Sequence, residues 1–425
     1  MKRNHNILFC ALLGLILPFS VTAAEEDGAT DLASEITSGK ATIAGRYRYE
    51  QVGVDEYLEV DEEPQLEHDM AHASTLRVRL NYRTGQWDGW SAFGEFDHVF
   101  HVLLDDFNSH GGTSPSNVDE YPIVADPKGS DLNQLYFDYG PNEDWKLRFG
   151  RQRILLDNQR FIGGVGWRQN EQTYDAFTLN TKAISKTALS YSYLNQVRRI
   201  FGQTVPAGKA ALDGHLLNAK ISVSDGFSIT PYYYLLDYKD ASYLRSSTAT
   251  AGIRLAGSIK AGEGKVTLLG EFATQSDAGD SPLNYDADYA HINGMWAMEN
   301  GLAFGLGLES LGADSSAGQS FRTPLATGHA FNGWADMFLT TPTGGIDDAY
   351  LTVKYKAGKW NLTGVYHDFS SETGNSDYGR EFDVSAGRSL GDRYGLLFKG
   401  AFFSADSDSS YDDVDKIWIM LTASY

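Results

Sequence analysis

Cysteine is almost absent from this chain, which contains a single one, Cys10, inside an apolar stretch near the N-terminus. One cysteine cannot build an intramolecular disulfide framework or a thiolate metal site, and its position in an apolar run does not suit a catalytic thiol. These three classes of site are therefore excluded.

Long apolar runs are also lacking. The run ILFCALLGLILPF follows Lys2 and Arg3, and it is shorter than the roughly 20 residues that a membrane-spanning helix needs. A basic start, a short apolar core and the small residues VTAA predict a secretory signal peptide over residues 1–23. Residues 24–40 are then expected to form a short periplasmic segment before the folded domain.

Basic residues are scarce, because 35 Lys and Arg stand against 56 Asp and Glu, which gives a net charge of −21. A chain this acidic is not a general nucleic-acid binder. The positions of the few basic residues therefore carry most of the functional information.

What the chain does contain is alternation with a period of two. In STLRVRLNYR, residues 74–83, apolar positions alternate with Arg77, Arg79 and Arg83, which is the pattern of a strand with one apolar and one cationic face. Eighteen such segments are predicted, near residues 41–51, 73–84, 88–100, 130–140, 144–153, 172–182, 186–196, 214–224, 227–239, 247–260, 264–275, 286–298, 301–311, 346–357, 359–369, 380–390, 392–405 and 413–425.

Short and long connections alternate between these segments. The short ones, such as TGQWDG, GPNED and AGEG, are turn sequences, whereas residues 52–72, 101–129 and 312–345 are long. The alternation predicts an all-β fold over residues 41–425: a transmembrane, antiparallel, up-and-down β-barrel of about 18 strands, with short periplasmic turns and long extracellular loops. A secreted β-sandwich is the alternative, but its loops would not alternate in length.

The expected location is the outer membrane of a Gram-negative cell, after the signal peptide has been cleaved. The expected partners are the bilayer, lipopolysaccharide and the barrel-assembly machinery, because the last strand ends on Tyr425 and resembles the C-terminal assembly signal of such barrels. No subunit-contact patch stands out in the sequence, so a monomer is expected.

The same alternation places a row of charged side chains in the lumen. The inward cations are Arg46, Arg48, Arg77, Arg79, Arg83, Lys146, Arg148, Lys220, Arg254, Lys354, Lys356 and Lys399. The inward acids include Glu50, Glu95, Asp97 and Asp138. Arg151 and Arg153 fall out of phase with Arg148, and a bulge at Gly150 is one way to turn them inward.

Two interpretations of the inward arginines stay open. They form ladders with carboxylates that brace the barrel, since a row of like charges is unfavourable without partners. Alternatively, they line a path for anionic or polyhydroxylated solutes, since rings of Arg and Lys select anions.

Three stretches go beyond this general pattern: LRFGRQRILLDNQRFIGGVGWRQNEQTYDAFTL (147–179), FRTPLATGHAFNGWADMFLTTPTGGIDDAYL (321–351) and, more weakly, GRYRYEQV (45–52). Together they resemble the alginate-export family of outer-membrane porins, which are eighteen-stranded barrels. The resemblance implies passage of an anionic polyuronate through a basic constriction. On the matching positions, it implies that this constriction is lined or framed by Arg46, Arg48, Arg148, Arg151, Arg153, Arg160 and Arg168.

Two loops and two tyrosines leave alternatives open. Residues 153–171 and 312–345 are either ordinary extracellular loops or segments that fold inward and narrow the bore. Tyr232 and Tyr234 either stack on sugars or serve packing.

Catalytic, metal and cofactor sites are not expected. The sequence has no Gly-x-Ser-x-Gly elbow, and His68 and His72 lack the HExxH arrangement. The expected function is a passive, anion-favouring channel for small anionic or sugar-like solutes. A dedicated exporter of an anionic polysaccharide and a non-conducting surface adhesin are the alternatives.

Overall fold

A computed structural model describes residues 31–55, 57–60, 63–66, 70–109 and 121–425 of the chain. The predicted signal peptide and His68 lie outside the described residues. A six-residue helix, Leu32–Thr37, precedes the first strand. Within the described ranges, no helix has the length and apolar character needed to span a bilayer.

Eighteen strands form one antiparallel sheet, and each of them corresponds to one predicted segment. The strands are β1 (Lys40–Asp55), β2 (Ala71–Arg83), β3 (Trp90–Asp106), β4 (Gly129–Asn142), β5 (Trp145–Gln152), β6 (Thr173–Thr181), β7 (Thr187–Arg198), β8 (Lys209–Ser224), β9 (Phe227–Tyr238), β10 (Thr248–Lys260), β11 (Gly264–Asp277), β12 (Asp286–Met298), β13 (Leu302–Leu311), β14 (Ile346–Ala357), β15 (Trp360–Ser370), β16 (Asp377–Leu390), β17 (Tyr394–Ala405) and β18 (Asp413–Ser424).

The sheet closes on itself because β1 pairs with both β2 and β18. Arg46, for example, lies opposite Arg77 on one side and Thr422 on the other. Closure leaves no edge strand with unpaired backbone groups, which a sheet in lipid cannot tolerate. The predicted all-β, eighteen-stranded barrel is confirmed.

The barrel has a short-turn end and a long-loop end. At the short-turn end, β8 and β9 are joined through Asp225 and Gly226, and Gly226 adopts a φ of +83° that such a tight turn requires. At the long-loop end, two small hairpins occur within the loops, Tyr57–Val60 with Glu63–Leu66 and Ala313–Asp314 with Gln319–Ser320.

Burial is inverted relative to a water-soluble protein. On the outer wall, Ile292 and Leu306 are 68 % and 69 % exposed, whereas Arg48, Glu50 and Asp97 in the lumen are almost completely buried. A lipid-facing apolar wall around a polar interior accounts for both observations.

The strand β5 changes phase at Gly150, which has a φ of +118°. Arg148 and Arg151 are three residues apart, yet both reach carboxylates. The pairing of β5 with its neighbours runs through Gly150 without a register shift, so the backbone conformation of the glycine, rather than an inserted residue, changes the phase. A Cβ atom there would lie 2.3 Å from the Leu135 carbonyl oxygen.

We expect Gly150→Ala to lower the free energy of unfolding by at least about 2 kcal/mol, because the side chain adds a backbone clash to an unfavourable φ. Urea unfolding of the barrel refolded in lipid vesicles measures this change. Gly270→Ala is the matched control, since nothing lies within 4 Å of a Cβ atom built there. Equal losses of unfolding free energy in Gly150→Ala and Gly270→Ala would contradict the role given to the backbone conformation of Gly150.

Candidate functional site: a lumen crossed by two loops

Residues 153–172, called loop A below, cross the bore. In the middle of the loop, Phe161 packs on Tyr232 and Tyr234 of β9, with ring centroids 5.5 and 6.3 Å apart. Nearer the C-terminal end of the loop, Arg168 donates hydrogen bonds to both oxygens of Glu50 in β1, at 3.0 and 3.1 Å. Because β1 and β9 lie on opposite sides of an eighteen-stranded ring, loop A spans the lumen. The two tyrosines therefore pack the loop rather than face open water.

Residues 321–345, called loop B, are joined to loop A by backbone hydrogen bonds. Ile162 and Leu325 form a parallel bridge, and the Gly163 amide donates to the Leu325 carbonyl at 2.8 Å. The Thr327 amide donates to the Gln159 carbonyl at 3.0 Å. The two loops, which are separated by some 150 residues in sequence, form one folded unit inside the barrel.

The arginines of β1 hold the backbone of loop A. Arg46 donates to the carbonyl of Gly166 at 2.8 Å and also to the carbonyl of Arg168. Arg48 donates to the carbonyl of Trp167. A chain segment inside a barrel lacks the ladder partners of a strand, and these guanidinium groups satisfy its carbonyl oxygens.

The arginines of β2 meet a carboxylate from the same loop, Glu171. The Nη1 atoms of Arg77 and Arg79 lie 3.6 and 2.8 Å from Glu171 Oε1, and Arg153 contacts its other oxygen. Arg79 also binds both oxygens of Asp97, at 2.6 and 2.7 Å. Burial alone would raise the pKa of Glu171, but the charges of Arg79 and Arg153 outweigh it and lower the pKa to about 2.

Further arginines in the middle of the barrel are also neutralised. Arg160 lies 2.8 Å from Glu309 of β13, and Arg151 lies 2.8 Å from Asp175 of β6. Two more pairs of this kind are Arg153 with Glu95 at 2.5 Å and Arg254 with Glu271 at 2.6 Å. At this depth the inward arginines form ladders with carboxylates.

Below loop A, towards the short-turn end, the balance of charge differs. Arg83, Lys146 and Arg148 surround one carboxylate, Asp138, at 3.3, 3.4 and 2.7 Å. The side chains of Arg83 and Lys146 are 42 % and 51 % exposed to the lumen. Lys354 is also exposed and, among the described residues, takes part in no ion pair. This part of the lumen carries an excess of positive charge.

A cluster that the sequence did not predict fixes both loops to β17. The Lys399 amine lies 3.7 and 4.3 Å from the ring centres of Trp334 and Trp167, and it donates to His329 Nε2 at 2.6 Å. His329 Nδ1 lies 2.8 Å from Asp336. Burial lowers the pKa of His329 to about 3, so the ring is neutral and accepts from the lysine while it donates to the aspartate.

Metal binding has no evident site in the part of the chain that the structure describes, where no group of three or more His, Cys, Asp or Glu side chains is arranged to hold an ion. Of the two histidines considered in the sequence, His72 bonds to the hydroxyl of Tyr49.

A family model described as alginate export matches residues 75–310 of this sequence, which is more than half of the chain. The chain belongs to the alginate export family. Among the curated proteins, none matches the sequence. With its closed barrel, this alginate export family member is an outer-membrane barrel channel. Its short turns accordingly face the periplasm and its long loops face the cell exterior.

Solved structures with the same fold include Acinetobacter baumannii OccAB2, which is 15 % identical with a TM-score of 0.70 and covers 92 % of this chain and 99 % of its own. Pseudomonas aeruginosa OccK11 (OpdR) is 14 % identical with a TM-score of 0.66 and covers 92 % and 97 %. Pseudomonas aeruginosa OpdK with vanillate is 14 % identical with a TM-score of 0.66 and covers 92 % and 99 %.

The seven arginines that the family resemblance implied fall into three groups in this barrel. Arg46 and Arg48 bind loop A from the wall, and Arg153, Arg160 and Arg168 belong to the loop itself. The other two, Arg148 and Arg151, pair with the strand carboxylates described above.

In this alginate export family barrel, Arg79→Gln should lower the free energy of unfolding by about 3–5 kcal/mol, because Asp97 would stay buried without its guanidinium partner and Glu171 would lose one of its three. Denaturant unfolding in lipid vesicles measures the loss. Arg380→Gln is the matched control, because its pair with Asp368 is exposed and should contribute nothing measurable. An Arg79 variant as stable as this control would contradict the buried ladder.

The lowered pKa of Glu171 predicts a pH dependence. The ionised carboxylate stabilises the folded state fully above its ordinary pKa of 4.5, and this contribution is lost as the pH falls through about 2. We expect wild type to exceed Glu171→Gln in unfolding free energy by on the order of 3 kcal/mol at pH 6–7. The difference should shrink towards zero near pH 2, and a difference that is independent of pH would contradict the ion pairs.

Proposed function

We propose that the protein is a passive channel that favours small anionic or sugar-like solutes. The observation that carries the proposal is the excess charge below loop A, where Arg83, Lys146 and Arg148 share the single carboxylate of Asp138. In a chain with a net charge of −21, a positive lumen creates a local potential that attracts anions against the overall field.

The two loops that cross the bore favour the passage of small solutes over the passage of a polymer. Loops A and B join opposite walls of the barrel through hydrogen bonds and ion pairs, so a solute passes beside a fixed obstacle. Movement then follows the solute gradient, and no catalytic group or cofactor takes part in it. One barrel of similar fold was solved with vanillate, and vanillate carries a carboxylate, which agrees with this solute class.

The family description favours a second candidate, a dedicated exporter of an anionic polysaccharide. That function requires loops A and B to leave the bore while a chain passes. The many bonds that fix both loops to the wall weigh against it for the protein by itself.

The proposal includes a monomer that the barrel-assembly machinery inserts after signal-peptide cleavage. Tyr425 supports a role for the C-terminal strand, because its amide and carbonyl exchange hydrogen bonds with Ile43 of β1 at 2.9 and 3.1 Å. The last residue thus takes part in closing the barrel.

Planar-bilayer recording of the refolded chain in a KCl gradient tests the channel. We expect stable openings with a reversal potential that is shifted from zero towards the equilibrium potential of chloride. Arg83→Gln with Lys146→Gln should move that potential towards zero, because two exposed cations are lost. Lys239→Gln is the matched control, since Lys239 lies beyond the end of β9 and pairs with Asp213 and Asp237.

A refolded barrel that never conducts would overturn the channel and favour either a partner-gated exporter or a non-conducting surface barrel. Conduction with a preference for cations would overturn the proposed anion selectivity, while the proposed channel function would stand.

A further inference from the structure

Above loops A and B, on the extracellular side, the long loops surround an open cavity of about 570 Å³, called the vestibule below. Its lining comes from loops A and B, from the loops that follow β3, β7 and β9, and from β18. Any solute that enters from outside meets the vestibule before it reaches the ladders.

The vestibule is rich in positive charge. Four cations line it, Arg168, Arg199, Arg322 and Lys416, together with one carboxylate, Asp336. That carboxylate is already engaged, because Arg168 and Lys416 lie 3.2 and 3.4 Å from it and His329 binds its other oxygen. Within the described residues, neither Arg199 nor Arg322 has a carboxylate at ion-pairing distance.

Both unneutralised arginines keep hydrogen-bonding capacity. Arg199 donates one bond to the Tyr243 hydroxyl at 3.0 Å. Arg322 donates one bond to the Gln319 side chain at 2.7 Å, and its Nε atom is buried with no partner in the described part of the chain. A guanidinium has five N–H donors, and a carboxylate can take two of them at once.

Apolar and aromatic side chains form another part of the lining, beside polar ones such as Gln172, Thr323 and Thr341. The Arg199 guanidinium lies 5.2 and 5.3 Å from the ring centres of Phe201 and Tyr243, and Ile200 and Leu339 lie on the same cavity. Such a surface suits a flat apolar body beside a charged head, since aromatic rings also favour the guanidinium that holds that head.

We propose that the vestibule is a binding site for a small solute with one carboxylate and a flat apolar body, with Arg199 and Arg322 as the residues that take the carboxylate. This inference rests on the proposed channel function and adds to it a solute class and the position where the solute is first held. A neutral sugar would leave both charges without a partner, and a purely hydrophilic anion would leave the apolar walls in water.

The test records current through the full-length refolded channel with benzoate on the extracellular side. Benzoate should block in a concentration-dependent way, whereas benzyl alcohol lacks the charge and acetate lacks the ring, so each should need at least tenfold higher concentration. Arg199→Gln and Arg322→Gln should each raise the half-blocking concentration of benzoate tenfold or more. Arg245→Gln is the matched control, because Arg245 follows Tyr243 on the same loop but lies exposed outside the cavity lining.

Gel mobility with and without heating shows whether each variant has folded. If a glutamine variant does not fold, Arg199→Lys or Arg322→Lys replaces it. The lysine variants keep the charge but lack the forked donor geometry, so block should still weaken threefold or more.

The outcomes separate this proposal from the channel function. If wild type prefers chloride but benzoate blocks no better than acetate, or if the arginine variants match Arg245→Gln, the vestibule site is wrong and the channel function stands. If wild type shows no anion preference at all, the proposed function itself fails.

Discussion

The contact between the wall arginines and loop A, made of hydrogen bonds and ion pairs, is the interaction on which the rest of the lumen depends. A loop that enters a barrel leaves its backbone carbonyls and its carboxylates away from bulk water, and each needs a partner. Arg46 and Arg48 supply donors for the carbonyls, and Arg77 and Arg79 supply charge for Glu171. With the loop held in this way, loop B, the tryptophans around Lys399 and the floor of the vestibule all have a surface to pack on.

This arrangement changes the meaning of the arginine rows. Rows of cations on β1 and β2 suggest a conducting surface when they are viewed as strands alone. In the folded barrel the guanidinium groups of Arg46, Arg48, Arg77 and Arg79 face a protein segment. Cations open to water lie above and below that segment. Arg83 and Lys146 lie on the periplasmic side, and Arg199 and Arg322 lie on the extracellular side. Electrostatic bracing and solute attraction are therefore divided between different residues.

The sequence predicted the barrel well because the signals for strands and turns are local. The two-residue period, the Gly/Asn/Asp turns and the alternation of loop lengths are each contained in short windows. The strand carboxylates Asp97 and Asp138, which pair with Arg79 and Arg148, follow from the same alternation. The partner that loop A supplies was not accessible in this way, since Arg77 and Glu171 are 94 residues apart in the numbering and their contact depends on how loop A enters the bore. Lys399 was placed inward correctly by alternation, but its tryptophan neighbours come from two loops whose path no periodicity describes.

The line where the first and last strands meet is also bound from inside the barrel. Arg168 of loop A holds Glu50 on β1, while Asp336 of loop B lies 3.4 Å from Lys416 on β18. These contacts straddle the final junction of the sheet. Closure of the cylinder and docking of its internal loops therefore stabilise each other, since the loops hold both of the strands that meet at this junction.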